Sequence, residues 1–163
     1  TMNNMAHAVL RLLEENKIDH TLAEHPAVFN MEELYAQGLE HCDAIAKNLL
    51  VRDQKKRFYW LLVLYGEKRA DLKALKARLG HGALSFAGAE ELAELLGLTP
   101  GSVTPFGALN DKKHRVTLLL DEDYRGKLIG VHPNDNTATV WLPADALVEL
   151  LRQQGTTVEF IPF

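Results

Sequence analysis

Ala46-Lys47-Asn48-Leu49-Leu50-Val51-Arg52, then Asp53-Gln54-Lys55-Lys56-Arg57, then Phe58-Tyr59-Trp60-Leu61-Leu62-Val63-Leu64-Tyr65: this stretch decides the fold. The outer segments are apolar and of strand length. The middle one is polar and charged, the composition of a hairpin tip. Phe58 to Tyr65 offers no polar face, so both of its sides must be covered. The reading is a central strand with an antiparallel hairpin partner.

The flanks extend this pattern. Met5, Val9, Leu12 and Leu13 recur at helical spacing between Asn4 and Lys17, which predicts an amphipathic helix. His20 to Glu24 reads as a short strand, broken at His25-Pro26 because a residue before proline leaves helical space. Met31 to Gln37 reads as a helix, with Asn30 as N-cap and Gly38 as stop. Beyond the hairpin, Asp71 can cap a helix with a Leu72, Leu75, Leu79 stripe that ends at Gly80. Ser85-Phe86 is briefly extended, and Gly88 to Leu96 is a helix ended by Gly97. Val116 to Asp121 is an apolar strand. Leu128 to His132 and Thr137 to Leu142 form a hairpin across Pro133-Asn134-Asp135-Asn136. Pro143 opens a helix to about Gln154, with Ala146, Leu147, Leu150 and Leu151 inward. Gly155 stops it, and Thr157 to Ile161 closes as an edge strand.

Mixed helices and strands with at least two hairpins predict an α+β fold. The expectation is one domain over residues 1–163, a central mixed, mainly antiparallel β-sheet flanked by helices. A doubly wound arrangement is disfavoured, and no GxGxxG or Walker loop indicates a nucleotide cofactor.

Composition narrows the function. The chain has 163 residues, 47% hydrophobic and 25% charged, enough for a proper core. Its net charge of −4 argues against broad, non-specific binding to phosphates, so any nucleic-acid contact must be local. The single cysteine, Cys42, excludes an internal disulfide and suits a reducing cytoplasm. The apolar run from Phe58 to Leu64 is too short to span a bilayer, so no membrane association is expected.

Seven histidines are present, none in HExxH or a His-Cys zinc spacing, and no metal site is expected. His41-Cys42-Asp43 is a poor chelate, because adjacent residues of an extended chain point to opposite sides. Neither Cys42 nor Ser102 nor Thr104 sits in a recognised nucleophile context. Lys47 interrupts an apolar strand, so it either snorkels to an edge or projects into a polar cleft as a compact cation for phosphate or carboxylate. His132 ends a strand beside Gly130, either as a pocket residue or as a hydrogen-bonded structural one. Gly101 to Asp111 brackets Pro105 with Gly101 and Gly107; it is either one wall of a small-molecule pocket or a well-made connection. Basic residues fall in three clusters: Arg52 with Lys55-Lys56-Arg57, Lys68-Arg69 with Lys73, Lys76 and Arg78, and Lys112-Lys113-His114-Arg115. They are either solvated surface or, if they share a face, a nucleic-acid contact.

Several of these segments occur together in a recognisable order. They are His25-Pro26-Ala27-Val28-Phe29 with Glu32-Glu33, Ala46-Lys47-Asn48-Leu49-Leu50, Gly101-Ser102-Val103-Thr104-Pro105-Phe106-Gly107 with Asn110-Asp111, and His132-Pro133 with Asn136 and Thr137. In this the chain resembles the YbaK/aminoacyl-tRNA synthetase-associated domain family, and within it the freestanding prolyl-tRNA editing proteins. The resemblance spans essentially the whole chain. It implies a hydrolase that cleaves the ester of mischarged Ala-tRNA(Pro), without metal or other cofactor. Its partner would be the acceptor end of tRNA(Pro) carrying alanine, with prolyl-tRNA synthetase or an elongation factor as a transient companion. The alternatives are a deacylase of Cys-tRNA or Ser-tRNA and a non-catalytic tRNA- or synthetase-binding module. Editing of this kind answers a physical limit: a pocket built for proline cannot strongly exclude a smaller side chain, since a missing methylene is worth only about 1–3 kcal/mol.

The resemblance also implies roles. Lys47 would hold the phosphate or ribose of the terminal adenosine, and Asn48 would hydrogen-bond near the ester or the aminoacyl group. The backbone of Gly101, Ser102 and Val103 would position the carbonyl and stabilise its oxyanion. His132 would wall the side-chain pocket, whose volume Val103 and Phe106 would also set, and would contact the amino group. Thr104, Pro105 and Asn110 complete the implied substrate-binding loop. The residues offer no obvious general base, and related editing domains use the substrate's own ribose hydroxyl to help activate water.

Overall fold

The computed structural model describes residues 2–163. In chain order its elements are α1 (Asn4–Glu15), β1 (Thr21–Glu24), α2 (Met31–Tyr35), β2 (Lys47–Asp53), β3 (Tyr59–Leu64), α3 (Leu72–Leu79) and β4 (Leu84–Phe86). They continue as α4 (Ala89–Leu96), β5 (Val116–Asp121), β6 (Leu128–Val131), β7 (Ala138–Pro143), α5 (Ala144–Gln153) and β8 (Val158–Ile161). The caps are those the sequence suggests. Asn30 Oδ1 accepts the Glu33 amide at 2.8 Å, and Asp71 Oδ1 accepts the Lys73 and Ala74 amides at 3.1 Å. Gly80 and Gly97 end α3 and α4 in the left-handed conformation.

β3 is buried along its whole length and lies at the centre of a five-stranded sheet ordered β4-β2-β3-β5-β8. The β4-β2 and β2-β3 pairs are antiparallel, and the β3-β5 and β5-β8 pairs are parallel. A second, antiparallel sheet has the order β1-β7-β6. The α+β class and the mixed, mainly antiparallel pairing hold, but the strands divide between two sheets rather than forming one. The link is a single parallel bridge, Ile45 to Gly130, in which the Ala46 amide donates to Gly130 O at 3.0 Å. The link is short because the chain leaves β6 after one bridge and joins β3 at Lys47. A side chain at position 130 would prevent it: a Cβ there would lie 2.6 Å from Trp141 Nε1 and 3.0 Å from Ile45 Cγ1.

The main core fills the space between the sheets and α1, α4 and α5. Leu61, Val63, Leu118 and Leu120 meet Ile129, Val140 and Leu142, with Leu13, Leu96, Leu147 and Leu151 closing the ends. Each buried leucine contributes about 2 kcal/mol of transfer free energy. On the opposite face of the larger sheet, Val51, Trp60, Leu62 and Leu119 pack against Leu75 of α3. A third cluster (Val28, Leu34, Ala44, Ile45 and Trp141) anchors α2 beside the bridge.

The segment from Pro100 to Asn110 folds as two 3₁₀ turns, Pro100–Ser102 and Pro105–Asn110. Gly101 and Gly107 are not in the left-handed region. Both are needed for close packing instead of backbone freedom. A Cβ on Gly101 would lie 2.8 Å from Phe29 Cδ1, and one on Gly107 would lie 2.6 Å from Leu98 Cδ1.

Candidate functional site

A cleft of about 350 Å³ opens where the two sheets diverge, at the residues that carry the chain from the Ile45 bridge into β2. Lys47 and Asn48 form one wall. Gly101 and Val103 of the first 3₁₀ turn form a second, His132 at the end of β6 a third, and Phe29 to Met31 the rim.

Lys47 is half-buried and makes no salt bridge among the described residues. It also borders an adjoining hollow lined by Met31, Tyr35 and Gly66, in which Glu32 and Glu67 stand without contacting it as ion pairs. Lys47 thus borders a cleft rather than only the open surface, and its ammonium has no carboxylate partner among the described residues. Asn48 Nδ2 donates to Ala46 O at 3.4 Å, but Asn48 Oδ1 is buried with no donor. An orphaned buried acceptor costs about 1–3 kcal/mol and marks where a ligand donor fits.

His132 Nδ1–H donates to Ala138 O at 2.7 Å, which leaves Nε2 as the lone-pair nitrogen. Burial pushes its pKa below 6.5, against the bond to Ala138 O and with some help from His25. The ring is therefore neutral at pH 7. The His25 ring lies 6.1 Å away, centroid to centroid. His25 Nδ1 donates to Pro26 O at 2.9 Å, so its Nε2 accepts the Thr139 hydroxyl, also at 2.9 Å.

The second wall is made by only part of its segment. Gly101 and Val103 line the cleft. Ser102 turns away: its hydroxyl accepts the Thr99 amide at 3.1 Å and donates to Thr99 O at 3.2 Å. Thr104 Oγ1 donates to His132 O and so steadies the histidine's backbone. Pro105 and Phe106 are buried, with Phe106 in the main core, so Phe106 cannot set the volume of the cleft. Asn110, the last residue of the second 3₁₀ turn, lies outside the cleft and donates to Leu96 O at the C-terminal end of α4 at 2.7 Å.

Several lining residues escaped the reading of the sequence, among them Phe29, 66% exposed at the rim, and Met31, Ile45 and Thr139. Thr139 had a usable signal, as a hydroxyl residue inside an apolar strand. The Phe29 loop is fixed by one contact remote in sequence and one local: Asn136 Nδ2 donates to Val28 O at 2.8 Å, and the Phe29 amide donates to Glu33 Oε2 at 2.7 Å.

Among the described residues, no group of three or more His, Cys, Asp or Glu side chains gathers in metal-binding geometry. Burial, then Asp43, pushes the Cys42 thiol up from its ordinary value, which disfavours a thiolate nucleophile. No helix among the described residues is long and apolar enough to cross a membrane.

Comparison with known proteins places the chain in a family. The model of the aminoacyl-tRNA editing domain matches residues 25–150, a span that holds Lys47, Asn48, Gly101, Val103 and His132. The chain is 41% identical over 155 residues to the prolyl-tRNA editing protein ProX of Acetoanaerobium sticklandii, covering 94% of each chain. It is 35% identical over 150 residues to the prolyl-tRNA synthetase associated domain-containing protein 1 of Danio rerio, covering 90% of this chain and 81% of that one. A crystal structure proposed to be a trans-editing enzyme for prolyl-tRNA synthetase superposes with a TM-score of 0.73 at 25% identity, covering 100% of this chain and 99% of that one. The chain belongs to the aminoacyl-tRNA editing domain family.

Proposed function

We propose that the protein is a trans-editing deacylase that hydrolyses the ester of mischarged Ala-tRNA(Pro). The observation that carries this reading is the grouping of Lys47, Asn48, His132 and the Gly101–Val103 turn around one cleft that opens to solvent. The 41% identity to ProX over 94% of the chain supports the choice of prolyl-tRNA as substrate class.

In this reading the terminal adenosine lies against Lys47, whose uncompensated ammonium holds its phosphate or ribose. The donor-free Asn48 Oδ1 takes a hydrogen bond from the aminoacyl group or the ribose. The Val103 amide, with its neighbours in the turn, faces the carbonyl and stabilises the oxyanion as it forms. Water adds to the carbonyl carbon, the bond to the ribose oxygen breaks, and that oxygen takes the proton. The neighbouring ribose hydroxyl of the substrate helps to activate the water. Neutral His132 walls the side-chain pocket and presents Nε2 to the α-amino group. Alanine fits, and the proline ring is excluded by its extra carbons.

The test is deacylation by the purified chain of tRNA(Pro) charged with alanine, proline, cysteine or serine. The reading expects Ala-tRNA(Pro) to be cleaved and Pro-tRNA(Pro) spared. Lys47→Ala should lower kcat/KM by about a hundredfold, the order of loss when one electrostatic contact to the reacting group is removed. Preference for cysteine or serine would reassign the substrate. Binding of tRNA without turnover on any member of the set would make the chain a binding module.

A further inference from the structure

Two surface turns at the far end of the larger sheet repeat one design. Asp53-Gln54-Lys55-Lys56-Arg57 joins β2 to β3, and Asp111-Lys112-Lys113-His114-Arg115 leads into β5. Each begins with a buried aspartate. In each, the amide of the third residue onward donates to that aspartate's carbonyl: Lys56 N to Asp53 O at 3.1 Å, and His114 N to Asp111 O at 3.0 Å. Both third residues are left-handed, with φ of 56° and 51°. The carboxylates then hold the chain where it becomes strand. Asp53 Oδ1 accepts the Arg57 and Phe58 amides at 2.7 and 2.9 Å, and Asp111 Oδ2 accepts the Val116 amide at 2.8 Å. Lysine and histidine do not favour this backbone, so the buried carboxylates impose it.

β3 and β5 are adjacent and parallel, with Tyr59 opposite Val116, so the two turns emerge side by side. Lys55, Lys56, Arg57, Lys112, Lys113 and Arg115 are all exposed. Only the arginines have carboxylate partners, Asp53 at 3.6 Å and Glu94 at 3.8 Å; the four lysines have none among the described residues. A chain of net charge −4 thus concentrates six cations on two rigid, neighbouring loops.

We infer that these paired basic turns are a docking surface for the phosphate backbone of the substrate RNA, separate from the cleft that takes its esterified end. The inference rests on the tRNA reading above. An acidic chain repels a polyanion everywhere except where cations are gathered and left unneutralised. β2 itself runs from Lys47 at the cleft to Asp53 at the first turn, about 20 Å at the usual strand rise. A stem that continues from a single-stranded end held at Lys47 covers that span. Lysines serve here as point charges and carry no base recognition, so the surface would add affinity without choosing the sequence.

The experiment uses K55Q/K56Q, K112Q/K113Q and the fourfold variant, none of which touches the cleft. Two readouts are taken: binding of uncharged tRNA(Pro) against salt concentration, and deacylation of full-length Ala-tRNA(Pro) beside a short alanylated oligonucleotide of the single-stranded 3′ end. The expected result is a rise of about tenfold in Kd and KM for the tRNA in the fourfold variant. The slope of log affinity against log salt should flatten by about 3, with about half of each effect in either double variant. Activity on the short substrate should be unchanged. Unaltered tRNA affinity and salt slope would overturn the docking surface. Wild-type protein that binds tRNA through these lysines but cleaves neither substrate would overturn the deacylase reading and keep the surface.

Discussion

Gly101 and Phe29 are in contact so close that a single added carbon would not fit: a Cβ on Gly101 would come within 2.8 Å of Phe29 Cδ1 and 3.4 Å of Phe29 Cα. The contact joins the second wall of the cleft to its rim. Gly101→Ala must displace the exposed Phe29 ring, at a cost of about 1 kcal/mol, the low end for overpacking. Deacylation should fall with it, because displacement of a wall by a fraction of an ångström spoils the alignment of the ester. Urea unfolding of Gly101→Ala, Phe29→Ala and the double variant checks the cause. Removing the Phe29 ring should recover most of the stability lost in Gly101→Ala, and a simple sum of the two losses would contradict the contact.

Asn48→Ala should separate stability from activity. The substitution removes a buried oxygen that has no donor, and gives up only the 3.4 Å bond to Ala46 O. The two effects oppose each other, so unfolding free energy should change by less than about 1 kcal/mol. If Asn48 Oδ1 receives a donor from the substrate, kcat/KM on Ala-tRNA(Pro) should fall by at least about tenfold. Calorimetry beside single-turnover deacylation would decide. A large loss of stability would make Asn48 a structural residue.

The sequence shows clearly those features that depend on local pattern. The all-apolar run from Tyr59 to Leu64 could only be a covered central strand, and Lys47 was conspicuous because charge inside such a hairpin needs a reason. The division into two sheets was not legible, because it depends on one bridge between Ile45 and Gly130, far apart in sequence and without a repeating pattern. Within Gly101–Asn110, nothing local tells Val103, which faces the cleft, from Ser102 or Phe106, which turn away. The 3₁₀ geometry decides that, and Thr99, Leu98 and His132 impose it from outside the segment. The glycines were legible as necessary but not as to cause, since close packing and positive φ leave the same letter in the sequence.

His132 gives the fold a pH dependence of known sign. Burial lowers its pKa in the folded state below the 6.5 of the exposed ring, so between those two values the unfolded chain binds the extra proton. Its contribution is therefore complete above about pH 6.5 and is lost as pH falls through the depressed folded value. Stability measured from pH 7.5 down to pH 5 should decline for the wild type, and His132→Gln should remove part of that slope. Deacylation should decline over the same window if Nε2 must remain an acceptor. A pH profile identical in His132→Gln and wild type would refute the assignment.

Lys68 supports the site from behind. Its ammonium lies 2.9 Å from Asp121 Oδ2 and 2.6 Å from Asp123 Oδ2. Asp121 is fully buried at the end of β5, where its Oδ2 also accepts the Tyr65 amide at 3.0 Å and its Oδ1 the Asp123 amide at 3.1 Å. Tyr65 follows Leu64, the residue that pairs with Lys47, so this carboxylate fixes the end of β3 behind the cleft. Lys68→Met would leave Asp121 with its two amide donors but no counter-charge. Removing one partner of a buried pair costs about 3–5 kcal/mol, and the amide bonds and the half-exposed position of Lys68 reduce that to about 2 kcal/mol. The double variant Lys68→Met, Asp121→Asn should lose less stability than Lys68→Met alone, because the amide keeps an oxygen for one backbone donor and brings no unpaired charge. Urea titrations of the two variants give the comparison, and equal losses would show that charge at position 121 is not what Lys68 compensates.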